Sequence, residues 1–134
     1  MTGDQVQLAT VRAVARRGYL HGWTDDELLV RQVVKLAEEL GELVDYIETP
    51  DRELQQLFYE MGKVGMRARV IFDNPQLVID ATVIDTQAAI AELTDCAVVL
   101  AVAAHALAVP DLMYAASVKA SSDEARGVRN GHQA

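Results

Sequence analysis

The chain has 134 residues, of which 51% are hydrophobic, so it is long and apolar enough for one domain with a substantial core. Its formal net charge of −8 disfavours nucleic acid or an anionic membrane as the main partner, but permits a phosphorylated ligand bridged by a metal. One cysteine, Cys96, and an N-terminus without a signal-peptide pattern predict a soluble cytoplasmic protein. The apolar run 96–109, headed by Glu92 and Asp95, is expected to be too short to span a bilayer.

Apolar periodicity predicts two helices in the first third of the chain. The first is expected over residues 4–17, ended by Gly18. The second begins at Thr24, which has Glu27 three residues later as in a capping box, and runs to about residue 48. Its apolar stripe repeats at steps of three and four, and comprises Leu29, Val33, Leu36, Leu40, Leu43 and Ile47.

A third helix is expected from about Asp51 to the break at Asn74-Pro75. Gly62 and Gly65 either weaken it or allow a second helix to approach closely. Residues 76–84 suit an extended crossing as well as a helix. The predicted stripe of the third helix comprises Leu54, Leu57, Met61, Val64, Ala68 and Ile71.

Two further helices are expected, one from residues 85–86 to about 109 and one that opens with Pro110 in its first turn and ends near 124. Residues 127–134 read as a frayed tail. The prediction is therefore one all-α domain over the whole chain, a four- to five-helix bundle. Its apolar helices also predict a homodimer or homotetramer.

Two pairs of carboxylates carry the functional signal. Glu39 and Glu42 lie three residues apart on the second helix, and Glu92 and Asp95 have the same spacing on the fourth. The second pair supplies the only acids between residues 86 and 109, without a Lys or Arg. A carboxylate on such an apolar helix must be neutralised, paired or bound to a cation.

The helical wheel places Glu92 and Asp95 on the side of Cys96, Val99 and Ala103, which predicts that both acids face the packed interior and that Cys96 is buried. Two acids that face two others on another helix would form an all-oxygen site suited to Mg2+ or Mn2+.

The second helix leaves an alternative open. Glu38 lies one turn before Glu42, where it could hold or deprotonate a water, but the run AEELGEL is also common on exposed helix surfaces. The wheel places four charged residues opposite the apolar stripe, namely Lys35, Glu38, Glu42 and Asp45.

The motifs KLAEELGEL and AELTD together resemble the EExxE…ExxD signature of the MazG-like all-α nucleoside triphosphate pyrophosphohydrolases. The resemblance implies that Glu39, Glu42, Glu92 and Asp95 bind Mg2+ or Mn2+, which hold the triphosphate. Glu38 would position or activate the water that releases pyrophosphate and a nucleoside monophosphate. It also implies a house-cleaning role, with a dUTP-like substrate favoured.

Family members often carry Lys, Asn and Arg near the phosphates on the last helix. Lys119, Asp123 and Arg126 have that spacing, with Asp in place of Asn, so Lys119 and Arg126 are candidate substrate-binding residues. Lys35 is a further candidate. Trp23 could stack on a base, or equally anchor the core.

The segment between the two motifs is longer than in compact members of the family. Three of its basic residues, Lys63, Arg67 and Arg69, could reach a neighbouring site, but the favoured interpretation is a charged surface. Two other functions stay open, a phosphoribosyl-ATP pyrophosphatase-like enzyme and a non-catalytic helical interaction module. A di-iron bundle is disfavoured, because no histidine has Glu three residues before it.

Overall fold

The computed structural model describes residues 2–18, 20, 22–74 and 83–126. These residues form five α-helices and a short 3₁₀ turn and contain no strand, which confirms the all-α prediction. Most of the ambiguous stretch 76–84, and the predicted frayed tail 127–134, lie outside them. The helices are α1 Gly3–Arg16, α2 Asp25–Leu43, α3 Arg52–Phe72, α4 Thr86–Ala106 and α5 Leu112–Arg126, and the 3₁₀ turn Val44–Tyr46 follows α2.

The helices belong to two compact units. Unit 1 comprises Met1–Gly22 and Val83–Ala134 and contains α1, α4 and α5. Unit 2 comprises Trp23–Thr82 and contains α2, the 3₁₀ turn and α3. The single domain that the sequence predicts stays a prediction, and each unit is described by itself.

Four helices begin with the same hydrogen bond, in which a backbone N–H of the first turn donates to the side chain of the residue before the helix. Pro110 was predicted in the first turn of α5, but it lies just before the residue that caps this helix. Because each cap involves residues close together in the sequence, the predicted starts of these helices were accurate to within two residues. The capping residues are Thr24, Asp51, Asp85 and Asp111.

In unit 1, α1 packs against α5 and α5 also contacts α4. Small side chains make the α1–α5 contact close, since Ala13 and Ala120 are both buried. At the end of α1, the guanidinium of Arg16 donates from Nε and from Nη2 to the two carboxylate oxygens of Glu124 on α5, the latter at 3.1 Å. This fork-like ion pair joins α1 to α5.

In unit 2, α2 and α3 form an antiparallel hairpin. Arg31, in the second turn of α2, reaches the carbonyl of Phe72 at the end of α3, while Gly41 meets Gly65 in the middle. A Cβ on Gly41 would lie 2.7 Å from the Cα of Gly65 and 3.0 Å from the carbonyl oxygen of Met61. The two backbones therefore approach too closely for any side chain. The prediction that α3 allows a close helix approach holds for Gly65, whereas Gly62 has open space beside it.

The hairpin packs through a different face from the one that the apolar stripes predict. Of the two stripes only Ala68 is buried, and Val33 on α2 and Val64 on α3 are 59% and 58% exposed. The glycine contact turns the face of Glu38 and Gly41 toward α3. Glu38, which was predicted on the polar side opposite the stripe, is consequently 1% exposed.

Candidate functional site

One lysine on α2 contacts two neighbouring carboxylates. Lys35 lies one turn before Glu38, and its ammonium binds Oε2 of Glu38 and lies 3.5 Å from Oε1 of Glu39. The Glu38 side chain is 1% exposed, whereas that of Glu39 is 55% exposed. Lys35 therefore holds a buried and an accessible carboxylate side by side.

A cleft of about 360 Å³ opens beside these acids, between α2 and α3. One wall carries Glu38, Glu42 and Asp45, which are the acids on one side of α2 and the 3₁₀ turn. The opposite wall belongs to α3 and carries basic and aromatic side chains. The α3 residues at the cleft are Phe58, Tyr59, Gly62, Lys63, Gly65, Met66 and Arg69.

The sequence contained a signal for the basic wall. Tyr59, Gly62, Met66 and Arg69 recur at steps of three and four, which is one face of a helix. Lys63 borders that face. A helical wheel of α3 that takes its apolar stripe as the packed face assigns these residues to the exposed surface. For this reason Lys63 and Arg69 were not predicted as site residues.

The second acid pair lies in unit 1. Glu92 and Asp95 are both exposed on α4, and so are Cys96, Val99 and Ala103 on the same side of the helix. The predictions that this face is packed within the chain and that Cys96 is buried are wrong. The reason is that α4 has few neighbours: only Ala104, near its C-terminus, is buried.

The described residues contain no group of three or more His, Cys, Asp and Glu side chains placed to hold a metal ion. The predicted ligands lie as two pairs, with Glu39 and Glu42 in unit 2 and Glu92 and Asp95 in unit 1. Each pair is exposed, so its oxygens are accessible to a cation.

The basic residues predicted on α5 share one partner. Lys119 binds Oδ1 of Asp123 at 2.6 Å, and Arg126 donates to the same oxygen. Asp123, the residue that departs from the family pattern, therefore brings the two cations together and offsets part of their charge.

Trp23 takes part in a stack at the start of α2. The Arg31 guanidinium lies 4.5 Å from the centre of the Trp23 ring and 4.6 Å from that of the Phe72 ring. Burial lowers the pKa of Arg31 below its ordinary value. One face of the indole is thus covered by a cation.

Helix α4 is longer than the apolar run 96–109 and is long and apolar enough, by length and composition, to cross a membrane. The buried core helix of a soluble protein meets the same criterion, but only 6% of the apolar window of α4 is buried. Glu92 and Asp95 lie in its central part, where a charged side chain costs about 3 kcal/mol to insert. These two acids would therefore oppose insertion of α4 into a bilayer.

Comparison with known proteins gives no relative: no family model matches the chain, and no curated protein or solved structure matches it. The likeness to MazG-like enzymes rests on the residues of the two acidic motifs.

Proposed function

We propose that this chain is a metal-dependent nucleoside triphosphate pyrophosphohydrolase of the MazG-like kind. The observation that carries the proposal is the cleft of unit 2, in which a buried carboxylate, Glu38, lies beside Glu42 and faces a basic wall. A cleft with one acidic and one basic wall suits a ligand that combines a cation with phosphates.

The donor set fits a hard cation. Glu39, Glu42, Glu92 and Asp95 offer only carboxylate oxygens, the donors that Mg2+ and Mn2+ prefer, and all four are accessible. We propose that each of the two pairs, Glu39 with Glu42 and Glu92 with Asp95, binds such a cation. When bound, it would neutralise charge on the triphosphate and favour attack by water.

Glu38 supports this chemistry as the acceptor of a proton. In the proposed reaction the water oxygen forms a bond to the α-phosphorus, and the bond from that phosphorus to the bridging oxygen breaks. Pyrophosphate leaves, and the water proton passes to Glu38. The role of Lys35 is to orient the Glu38 carboxylate through their ion pair.

For the substrate, we propose a (deoxy)nucleoside triphosphate with dUTP as the first candidate, in a house-cleaning role. Lys119 and Arg126 supply positive charge on α5, and Trp23 has the aromatic character to contact a base. The paired state of the two cations with Asp123 means that phosphate would compete with a carboxylate for them.

The decisive experiment offers the purified protein a panel of nucleoside triphosphates and phosphoribosyl-ATP with Mg2+ or Mn2+. Products are separated by chromatography and scored for pyrophosphate against orthophosphate. Monophosphate plus pyrophosphate is the expected outcome. Diphosphate plus orthophosphate as main products would refute the reaction type, and preferred turnover of phosphoribosyl-ATP would select the related enzyme.

We also propose that the protein assembles as a homodimer or homotetramer. Helix α4 exposes a long apolar surface, including Val98, Val99 and Val102. Water contact with so much apolar surface is costly, and association is the usual way to remove it. Light scattering at micromolar concentration checks this, and a monomer would contradict it.

One observation favours a second candidate, a helical interaction module without catalysis. Such a module predicts acids on exposed faces, and Glu92 and Asp95 are exposed. The substrate panel separates the candidates, since the module would be folded and associated yet release no pyrophosphate from any nucleotide.

A further inference from the structure

The cleft of unit 2 has walls of opposite charge. The residues of its basic wall lie outside both acidic sequence motifs. Lys63 and Arg69 lie on α3, about two turns apart, and both line the cleft that Glu38 and Glu42 line from α2. Arg67, on the same helix, does not line it. Of these three basic residues, two therefore line the cleft that the α2 acids also line, and one lies outside it.

The two walls do not neutralise each other directly. Within the described residues, no ion pair joins Lys63 or Arg69 to Glu42 or Asp45. Arg69 instead has its Nε 3.8 Å from Oδ2 of Asp73, one turn along α3. The ammonium of Lys63 lies 5.2 Å from the centre of the Tyr59 ring. Both cations thus contact residues of their own helix, and both side chains line the cleft.

We propose that Lys63 and Arg69 bind the phosphate chain of the nucleotide, in the cleft whose opposite wall supplies Glu38 and Glu42. This inference rests on the proposed function and adds substrate-binding residues from a segment outside both motifs. The chemistry that the cleft recognises is a polyphosphate carrying a divalent cation, with the cation toward α2 and the phosphate oxygens toward α3.

Size and donor chemistry agree with that ligand. A cleft of about 360 Å³ lies within the range of small-molecule sites, which is roughly 300–1,000 Å³. Arginine can bind two phosphate oxygens at once through its planar fork, whereas lysine supplies a compact charge that adapts to position. Arg69 is therefore expected to set orientation and Lys63 to add attraction.

The test compares Lys63→Met and Arg69→Gln with Arg67→Gln, which removes a charge from the same helix outside the cleft. Calorimetry with Mn2+ measures the binding of a non-hydrolysable α,β-imido analogue of dUTP, of inorganic pyrophosphate, and of Mn2+ alone. Each cleft variant is expected to weaken both phosphate ligands by about tenfold or more. Arg67→Gln is expected to bind like the wild type, and Mn2+ alone is expected to bind all variants equally.

Kinetics provide a second reading. The cleft variants are expected to raise KM for dUTP more than they lower kcat, and Arg69→Lys is expected to recover less than half of the lost affinity, because it lacks the fork. Circular dichroism confirms that each variant is folded.

The outcomes separate this inference from the function on which it rests. A wild type that hydrolyses dUTP while both cleft variants match Arg67→Gln leaves the function standing and overturns the inference. A wild type that binds pyrophosphate through Lys63 and Arg69 but hydrolyses no nucleotide supports the phosphate site and overturns the function. A wild type that binds neither phosphate ligand overturns both.

Discussion

Helices α2 and α4 carry acid pairs with the same spacing, and both pairs are exposed, but the two helices differ in what packs beside the acids. On α2, Glu42 lies at a cleft whose other wall is a neighbouring helix, and Glu38 beside it is buried and held by Lys35. On α4, Glu92 and Asp95 lie on an apolar helix that is almost wholly exposed.

The difference shows that an apolar sequence and a buried site are separate properties. The apolar residues around Glu92 and Asp95 predicted a packed face, but the structure leaves that face exposed. On α2, by contrast, the charged residue Glu38 takes a packed position. The contact between Gly41 and Gly65 brings α3 close to it.

The largest expected effect comes from neutralising the acids of either helix. Glu39→Gln, Glu42→Gln, Glu92→Gln and Asp95→Asn should each reduce turnover by about a hundredfold or more, as removal of a group that stabilises developing charge does. Steady-state pyrophosphate release measures this. Glu53→Gln, at the exposed start of α3, is the control and should retain activity.

If only the α2 variants lost turnover, Glu92 and Asp95 would have no part in the reaction, and the two acid pairs would differ in function. Glu38→Gln tests the division of roles among the α2 acids. This variant should lose turnover while it retains metal affinity, since the proposed role of Glu38 is to accept the water proton. Calorimetry that showed Glu38→Gln losing Mn2+ as severely as Glu42→Gln would refute this division of roles.

The second prediction concerns the stability that a metal adds. Ligand that binds only the folded protein should stabilise it by about 2.7 kcal/mol at a hundred times its dissociation constant. Asp95→Asn should be at least as heat-stable as the wild type in chelator, because it removes a negative charge close to that of Glu92. In millimolar Mn2+ it should lose most of the metal-induced rise in melting temperature. Thermal denaturation in both buffers measures this. Equal wild-type melting temperatures in the two buffers would refute the metal site.

The third prediction tests the glycine contact that distinguishes the α2–α3 hairpin. Gly41→Ala should destabilise the protein by about 1–3 kcal/mol, because its Cβ would meet the backbone of α3 at 2.7 Å. Gly62→Ala is the control. It lies in the same hairpin with open space, and should be neutral or stabilising by up to about 1 kcal/mol. Urea denaturation measures both, and equal behaviour of the two variants would contradict the close contact.

The helices were predictable from sequence and their packed faces were not. Caps such as Thr24 and Asp51 act within a few residues, so local sequence specifies them. Which face of α2 packs depends instead on Gly65, more than twenty residues away, and neither periodicity nor propensity encodes that pairing. The prediction of candidate site residues had the same limit. Both motifs were evident locally, whereas the basic wall of α3 became visible only with the hairpin.

The fourth prediction concerns the charge balance on α5. Asp123→Asn should release Lys119 and Arg126 from their shared carboxylate and restore the residue type that the family pattern carries. We expect a decrease of a few-fold in KM for the nucleotide, since an exposed ion pair is worth about 0.2–1 kcal/mol. Steady-state kinetics at constant ionic strength measure it. Ser122→Ala is a neighbouring control on the same helix. An increased KM would show that Asp123 supports binding by holding the two cations in place.

The smallest effect is expected at the pair that joins α1 to α5 in unit 1. The hydrogen bond from Arg16 lowers the pKa of Glu124 below its ordinary value. A carboxylate with a lower pKa in the folded state stabilises the protein above its unfolded pKa, about 4.3. That contribution is lost as the pH falls through the folded pKa, so wild-type stability should decline below about pH 4. Since Arg16 is exposed and Glu124 is only partly buried, the decline should be slight and should decrease further at high salt. Glu124→Gln should remove this part of the pH dependence while leaving the α2–α3 hairpin unaffected. Denaturation at several pH values compares the two proteins, and identical acid profiles would show that the ion pair contributes nothing to how α1 and α5 are held together.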